Sequence, residues 1–231
     1  MVDPRQYAYT GPRPDVLQLV PDTAIEILDV GCSNGELGAA LRSAVPGRSV
    51  IGIDADLDFC KQAKDRLDAV VPADLNKLDW VKTFSPDSFD CLIFADVLEH
   101  LIDPWECLRS ACVCLRPGGT VVVSLPNIRH ISAFCSIFVR GTFPRNPRGI
   151  FDQTHIRWFT LRDASMLLTS AGLNLERVHS SLRVRDHGGG AINKIAQKIL
   201  SPLENLYVVR EFLAYQFCLQ ARKTKLIVRK I

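Results

Sequence analysis

One twelve-residue run, Ile27–Gly38 (ILDVGCSNGELG), constrains this chain more than any other. An apolar strand over 25–30 leads into a turn holding Gly31 and Gly35, and a helix starts at Glu36. A strand that hands a glycine turn to a helix N-terminus is how α/β proteins present bare backbone to a nucleotide-like ligand. Glycines let the backbone bend and let a ligand approach where a Cβ would collide.

The turn does not suit a ligand with phosphates. A dinucleotide fingerprint, G-x-G-x-x-G, would fall on Gly31, Ser33 and Glu36, so its second and third glycines are absent. Glu36 would also set a carboxylate at the helix N-terminus, where it would repel a pyrophosphate. No Gly-Lys-Ser/Thr follows, which excludes a Walker loop. A nucleotide-binding oxidoreductase is therefore disfavoured.

Further signals lie at the ends of later apolar runs. In IGIDAD (residues 51–56) the run ends at Asp54, the strand end where doubly wound sheets bind ligands. A carboxylate there can accept from both ribose hydroxyls, each such charged hydrogen bond contributing about 1.5–3 kcal/mol. The other reading is that Asp54, and more so Asp56, caps the helix starting near Leu57. In VVPADLN (70–76), Asp74 is either an acceptor for an adenine amino group or a solvated turn residue. FDCLIFADVLEHLIDP (89–104) reads as a central strand to Ala95 with a polar exit, Asp96–His100. LRPGGTVVVSLPN (115–127) closes a helix and turns into a strand, Thr120–Leu125.

In order and content these pieces resemble the class I S-adenosylmethionine-dependent methyltransferases. ILDVGCSNGELG looks like their glycine motif, Asp54 stands in the place of their ribose-binding acid, and Asp74-Leu75 resembles their adenine-side pair. The segments from Phe89 and from Leu115 resemble their fourth and fifth strands. FDQTHIRWFTLRDASMLLTSAGL (151–173) looks like the D-x-T-H-x-R segment of small-molecule and glycan-associated members. The resemblance covers about residues 24–183 and the final strand. It implies an α/β fold, a doubly wound, seven-stranded, mostly parallel Rossmann-like sheet with a small helical cap. It implies S-adenosylmethionine as cofactor, held by Asp29, Gly31, Cys32, Ser33, Gly35, Asp54, Ala55, Asp74, Leu75, Ala95, Asp96 and Val97. Ser33 departs from the family's usual glycine, so weakened rather than lost cofactor binding is expected.

The rest of the chain is consistent with one such domain over 24–231, preceded by an arm over 1–23 and carrying a cap insertion over 128–160. At 231 residues and 47% hydrophobic content, one α/β core with a modest cap is the expected size. Apolar strands alternate with helices: strands near 25–30, 49–54, 70–74, 89–95 and 119–125, helices at 35–45, 57–68, 76–83 and 104–115. The cap comprises an apolar helix, Ile128–Val139, that is either a lid or a homodimer face, and a Pro/Gly/Arg loop. A helix (Leu161–Ala171) and a strand (Leu173–Leu182) follow. Asp186–Gly190 reads as a flexible break, Ala191–Val209 as a helix kinked or split at Pro202, and Phe212–Ala221 as an antiparallel last strand. The Pro-rich arm reads as extended, and by resemblance Tyr7, Tyr9 and Arg13 are substrate-binding candidates.

Charge and cysteine usage exclude several classes. A net charge of +3 with no basic stripe interleaved with aromatics does not indicate nucleic acid, nor does an N/D-P-P-Y/F tetrapeptide follow the fourth strand. The basic tail 222–230 either touches anionic lipid or an acidic partner or is simply solvated. No apolar run is long enough to span a membrane and residues 1–10 lack a signal-peptide core, so a cytoplasmic protein is expected. The 8 cysteines include no C-x-x-C pair and read as reduced core residues, Cys32 among them. No carboxylate triplet stands out either, and no metal is expected.

The expected reaction is methyl transfer to a hydroxyl of a small molecule or saccharide. A hydroxyl acceptor needs a base, which contributes about 10²–10⁴ in rate. His155, flanked by Asp152 and Arg157, and His100, at the fourth strand's exit, are the catalytic candidates. Asp152 and Arg157 either hold His155 or bind a polar substrate. His130 is a lesser candidate, and His187 reads as loop. The second functional reading is a non-catalytic cofactor-binding regulatory or assembly protein, motivated by Ser33 and the basic tail.

Overall fold

The computed structural model describes residues 11–183, 190–203 and 206–224. Seven strands form one sheet in the order β3-β2-β1-β4-β5-β7-β6. They are β1 (Glu26–Val30), β2 (Ser49–Asp54), β3 (Ala69–Pro72), β4 (Phe89–Ala95), β5 (Leu115–Pro126), β6 (Leu173–Leu182) and β7 (Ala214–Lys223). β7 runs antiparallel to both β5 and β6, and the other pairings are parallel. The helices are α1 (Pro14–Leu17), α2 (Glu36–Ala44), α3 (Leu57–Ala63), α4 (Trp80–Thr83), α5 (Pro104–Ala111), α6 (Ile131–Phe134), α7 (Leu161–Ser170), α8 (Gly190–Leu200) and α9 (Tyr207–Leu213). This is the doubly wound, mostly parallel fold that the sequence implied.

Strand periodicity sorts the core onto two faces. Leu28, Val30, Leu92, Phe94, Val121 and Val123 pack with Leu108, Leu161 and Leu168 of α5 and α7. The alternate residues Ile27, Cys91, Ile93 and Val122 pack with Leu37 and Leu41 of α2 on the other face. The order of strands reverses between β1 and β4, and at such a switch point the loops after the strands part and leave a crevice.

Several elements differ from the sequence expectation, each for a local reason. Residues 14–20 are not an extended arm: α1 begins at Pro14, and Val16, Leu19 and Val20 are buried against the β1–α2 side of the sheet. The helix expected over 76–83 is only α4, because the Asp74 carboxylate accepts from the Asn76 backbone N–H and the helix starts after Asp79, which caps Lys82 N–H. α5 stops at Ala111, short of 115. Leu115 already pairs with Phe89, and the Arg116–Gly119 stretch bulges out before pairing resumes at Thr120 opposite Cys91. Ile128–Val139 is helical only from Ile131, where the His130 side chain caps, and its last five residues (Cys135–Val139) form a π-turn. The helix expected over 191–209 is divided at Pro202 into α8 and α9, and Phe212 belongs to α9 rather than to the last strand. Tyr7, Tyr9, His187, the 186–189 part of the break and the tail beyond 224 lie outside the described residues. Among the described residues no helix is long and apolar enough to cross a membrane.

Candidate active site

A cavity of about 1090 Å³ opens at the C-terminal ends of β1, β2 and β4, and residues 147–149 and 152–155 of the segment expected as a cap also line it. This is ample for a ligand site, for which about 300–1,000 Å³ is usual.

One part of the wall is the β1–α2 turn. Gly31 has φ +74°, and a Cβ there would lie 2.4 Å from Val97 Cγ2, so only glycine lets this turn pack under β4's exit. Ser33 also adopts a left-handed conformation (φ 48°), a region that favours glycine. The turn is nonetheless held, because Asp54 Oδ2 accepts from the Ser33 backbone N–H at 2.8 Å and Oδ1 from the Asp56 N–H at 2.8 Å. Burial raises the pKa of Asp54, and these hydrogen bonds oppose the rise. Asp56, as expected, caps α3 by accepting from Asp58 and Phe59 N–H.

Asp29 on β1 is 1% exposed, and neither of its carboxylate oxygens has a hydrogen-bond partner among the described residues. Burial, with the Asp54 charge adding to it, pushes its pKa up to about 7. A buried carboxylate without a donor is costly, and such a group at a cavity wall is poised for a cation.

Past β4, Asp96 (φ 58°) is the centre of a polar knot. Arg13, Ser124 and Gln216 all donate to it, and Arg13 also pairs with Asp15 at 2.9 Å. Burial opposes the Arg13 charge, but the Asp96 and Asp15 carboxylates outweigh it and hold its pKa above the usual value. Arg13, a substrate candidate from sequence, thus lines the cavity with its guanidinium fork turned onto carboxylates.

The next segment builds the second part of the site. Glu99 lies in a 3₁₀ turn (Leu98–His100), 1% exposed, with both carboxylate oxygens lacking hydrogen-bond partners. Burial and the Asp96 charge raise its pKa well above the carboxylate range. His155 Nε2 stands 3.9 Å from Glu99 Oε1, and the His100 and His155 rings meet edge to face at 4.7 Å. Burial lowers the pKa of both histidines, and the neighbouring His155 lowers that of His100 further. The two stretches are tied by the Glu99 carbonyl, which accepts from Ile156 N–H at 3.0 Å and Arg157 N–H at 3.1 Å.

The cavity wall brings together Asp29, Gly31, Cys32, Ser33, Asp54, Ala55, Asp74, Leu75, Ala95, Asp96 and Val97 with Arg13, Asp152, His100 and His155. Two expectations are corrected. Arg157 does not line the cavity, since its guanidinium donates to the Ile102 carbonyl and fastens the cap segment. Gly35 lies behind the wall as the left-handed residue preceding α2, where a Cβ would meet Ala63 Cα at 3.1 Å. Cys32 reaches the wall but packs as core at 4% exposure. His130, buried against Tyr215 and the Arg183 carbonyl, is absent from the wall. Sequence reading missed Glu99, Phe59, Arg148 and Gln216. Only Glu99 carried a signal, as an acid beside a histidine at a strand exit.

A family model described as a methyltransferase domain matches residues 5–178, three quarters of the chain. The chain belongs to this methyltransferase family. Its class uses S-adenosylmethionine, and the wall fits that group: a glycine turn, a strand-end acid, and an orphaned buried carboxylate suited to an ammonium. Among curated relatives, the ubiquinone biosynthesis O-methyltransferase of Chromobacterium violaceum is 30% identical over 156 residues, 65% of each chain. That of Xylella fastidiosa is 31% identical over 166 residues, 69% of this methyltransferase and 65% of the relative. The chain thus spans a little under two thirds of these relatives' length. A solved S-adenosylmethionine-dependent methyltransferase from Archaeoglobus fulgidus superposes with a TM-score of 0.61 at 16% identity, covering 95% of this chain and 97% of that one, a likeness of fold.

Proposed function

We propose that this methyltransferase transfers the methyl group of S-adenosylmethionine to a hydroxyl of a small molecule or saccharide. The observation that carries the hydroxyl reading is the Glu99–His100–His155 cluster at the cavity wall. The ubiquinone-pathway relatives, named as O-methyltransferases, support it. When bound, S-adenosylmethionine supplies an electrophilic methyl group on a sulfonium.

The chain's own residues then have two tasks. On the cofactor side, Asp29 would hold the ammonium of the amino-acid end, Asp54 the ribose hydroxyls, and Asp74 and Leu75 the adenine edge. On the acceptor side, residues 152–155 would position the hydroxyl, and positioning contributes most of the acceleration in such a displacement. The acceptor also has to lose its proton. His155 and His100 activate it: their lowered pKa values keep both imidazoles neutral at pH 7, each carrying a nitrogen lone pair. Asp152 supports them through Thr154, whose hydroxyl donates to Asp152 at 2.6 Å and lies 3.1 Å from His100 Nδ1.

Eight unpaired cysteines fit a reducing compartment, so we place the protein in the cytoplasm. A homodimer through the Ile128–Val139 segment is part of the same proposal, supported by the exposure of Phe134, Phe138 and Val139. Sedimentation tests it, and a monomer removes it.

The reaction is tested by incubating the purified protein with methyl-labelled S-adenosylmethionine and panels of phenols, sugars and amines. Label on oxygen, with release of S-adenosylhomocysteine, is the expected result. Label found on amines alone overturns the hydroxyl reading.

A further inference from the structure

We propose that Arg183 and Arg148 form an oxyanion site at the acceptor end of the cavity, and that the hydroxyl compound this methyltransferase modifies carries a carboxylate or a phosphate monoester. The inference rests on reading the cavity as the place of methyl transfer to a hydroxyl, and it narrows the class of acceptor.

The charges of the wall are sorted by strand. Asp29 on β1, Asp54 at the end of β2 and Asp74 just after β3 line one half of the cavity. The other half is lined by Pro126 at the end of β5, by Tyr215 and Gln216 at the start of β7, and by Arg183 just past β6. Arg148 joins the wall from the loop before α7. A cationic sulfonium nucleoside suits the acidic half, which leaves the half with the arginines to the acceptor.

The arginines of the wall differ in what they already hold. The Arg13 fork is turned onto Asp96 and Asp15. Arg148 and Arg183 make no side-chain hydrogen bond and no ion pair among the described residues. Nor are the acids at the middle of the wall idle: Asp96 accepts from Arg13, Ser124 and Gln216, and Asp152 from the Thr154 hydroxyl.

Arg183 is half-buried and built into place. Its backbone N–H donates to the Leu213 carbonyl at 3.0 Å, and its own carbonyl lies 2.7 Å from His130 Nε2. Its guanidinium lies over the Tyr215 ring, 4.7 Å from the centroid, and that ring is 7% exposed and meets His130 edge to face. A guanidinium stacked on a ring keeps its N–H donors in its own plane, in the fork that matches the two oxygens of a carboxylate or phosphate. Tyr215 therefore fixes the orientation of Arg183 without using its donors.

Sheet spacing gives the size of the acceptor. β6 is three strands from β4 in the order β4-β5-β7-β6. At about 4.8 Å per step, the strand leading to Arg183 lies about 14 Å from the strand leading to His100. The long arginine side chain spans part of that interval, and the remainder holds a single ring. A phenolic acid or a sugar phosphate, with its hydroxyl and its anion on opposite sides of the ring, fits this description.

The test is calorimetric titration of the protein, in excess S-adenosylhomocysteine, with benzoate, with phenyl phosphate and with phenol as the neutral control. At least one of the two anions should bind with Kd of about 1 mM or tighter, and phenol about tenfold more weakly. Benzoate binding identifies a carboxylate acceptor, and phenyl phosphate binding a phosphate one. Arg183→Gln and Arg148→Ala should each weaken anion binding by about tenfold or more, while S-adenosylhomocysteine affinity stays within about twofold of the parent. Should Arg183→Gln fail to fold, Arg148→Ala on the exposed loop gives the same comparison. Binding of neither anion, binding no tighter than that of phenol, or binding that the substitutions leave unchanged overturns the proposal. Methyl transfer to oxygen is scored separately by the labelled-cofactor assay, so failure of the hydroxyl reading is distinguished from failure of the anion site.

Discussion

The cavity wall has two parts, and each contains a buried carboxylate without a hydrogen-bond donor among the described residues: Asp29 on the proposed cofactor side and Glu99 on the proposed acceptor side. They are built differently. Asp29 belongs to one continuous strand–turn–helix segment, and the turn is fastened by Asp54 at the end of the adjacent strand. Glu99 belongs to a wall made of two stretches distant in sequence, joined by backbone hydrogen bonds at its carbonyl. The first part is a local device that any sheet of this winding can carry. The second depends on the cap and is where one member of the fold differs from another. A methyl donor common to a class belongs in the first, and an acceptor particular to one protein in the second.

Four substitutions or titrations sharpen or break this division. The largest effect is expected at His155. His155→Ala should lower turnover by about 10²–10⁴ while the KM for S-adenosylmethionine stays within about twofold. A parallel loss of cofactor affinity in steady-state kinetics would merge the two parts of the wall.

Asp54→Ala comes next and should act in the opposite sense. It removes the acceptor for the ribose and the clamp on the Ser33 and Asp56 amides. At about 1.5–3 kcal/mol for each charged hydrogen bond, S-adenosylhomocysteine binding should weaken by about 100-fold or more in calorimetry. Unchanged affinity would remove the ribose assignment.

Asp29 gives a smaller, pH-dependent effect. Its folded-state pKa is raised from 3.8 to about 7, so the folded chain holds this proton more tightly than the unfolded one. The stabilisation from this group is complete below about pH 3.8 and is lost as pH rises through 7, at about 1.4 kcal/mol per unit between the two values. An ammonium at Asp29 favours the ionised form. Cofactor affinity should therefore rise up to about tenfold per unit as pH climbs towards 7, then level off. Asp29→Asn should raise the melting temperature of the cofactor-free protein at pH 8 and abolish this pH dependence of binding. Affinity that falls across the same interval contradicts the assignment.

The smallest effect is at Ser33. A non-glycine residue in the left-handed region costs about 1–2 kcal/mol, and the Ser33 hydroxyl lacks a hydrogen-bond partner among the described residues. Ser33→Gly should raise the melting temperature by about 2–4 °C and tighten cofactor binding. A loss of either would mean that the serine serves the turn in a way its backbone does not reveal.

The same division explains what could be read from the sequence. Strands 49–54 and 89–95, inside the sheet, fall where the apolar runs place them. A strand buried on both faces has no freedom to start or stop elsewhere. The turn from Gly31 to Gly35 was legible because its requirements are local. Asp54 was legible too, as the last residue of an apolar run. Glu99 was not. It sits one residue from the histidine that drew attention, and its importance comes from burial and from His155, which arrives through the cap. Arg157 misled for the same reason, since its proximity to His155 along the chain says nothing of the Ile102 carbonyl that holds it. The length of α4 was misread because Asp74 turns the chain onto Asn76 before a helix can begin. Position 14–20 looked like a free arm only because Val16, Leu19 and Val20 meet their partners across the sheet.

The central claim is that the wall running from Asp29 to Val97 holds a sulfonium nucleoside. The direct measurement is calorimetric titration of the purified protein with S-adenosylmethionine and S-adenosylhomocysteine, with NADH as control. Micromolar binding of both sulfur nucleosides, lost in Asp54→Ala and absent for NADH, is the predicted result. Tight NADH binding, or no binding of either sulfur nucleoside by the folded protein, would contradict it.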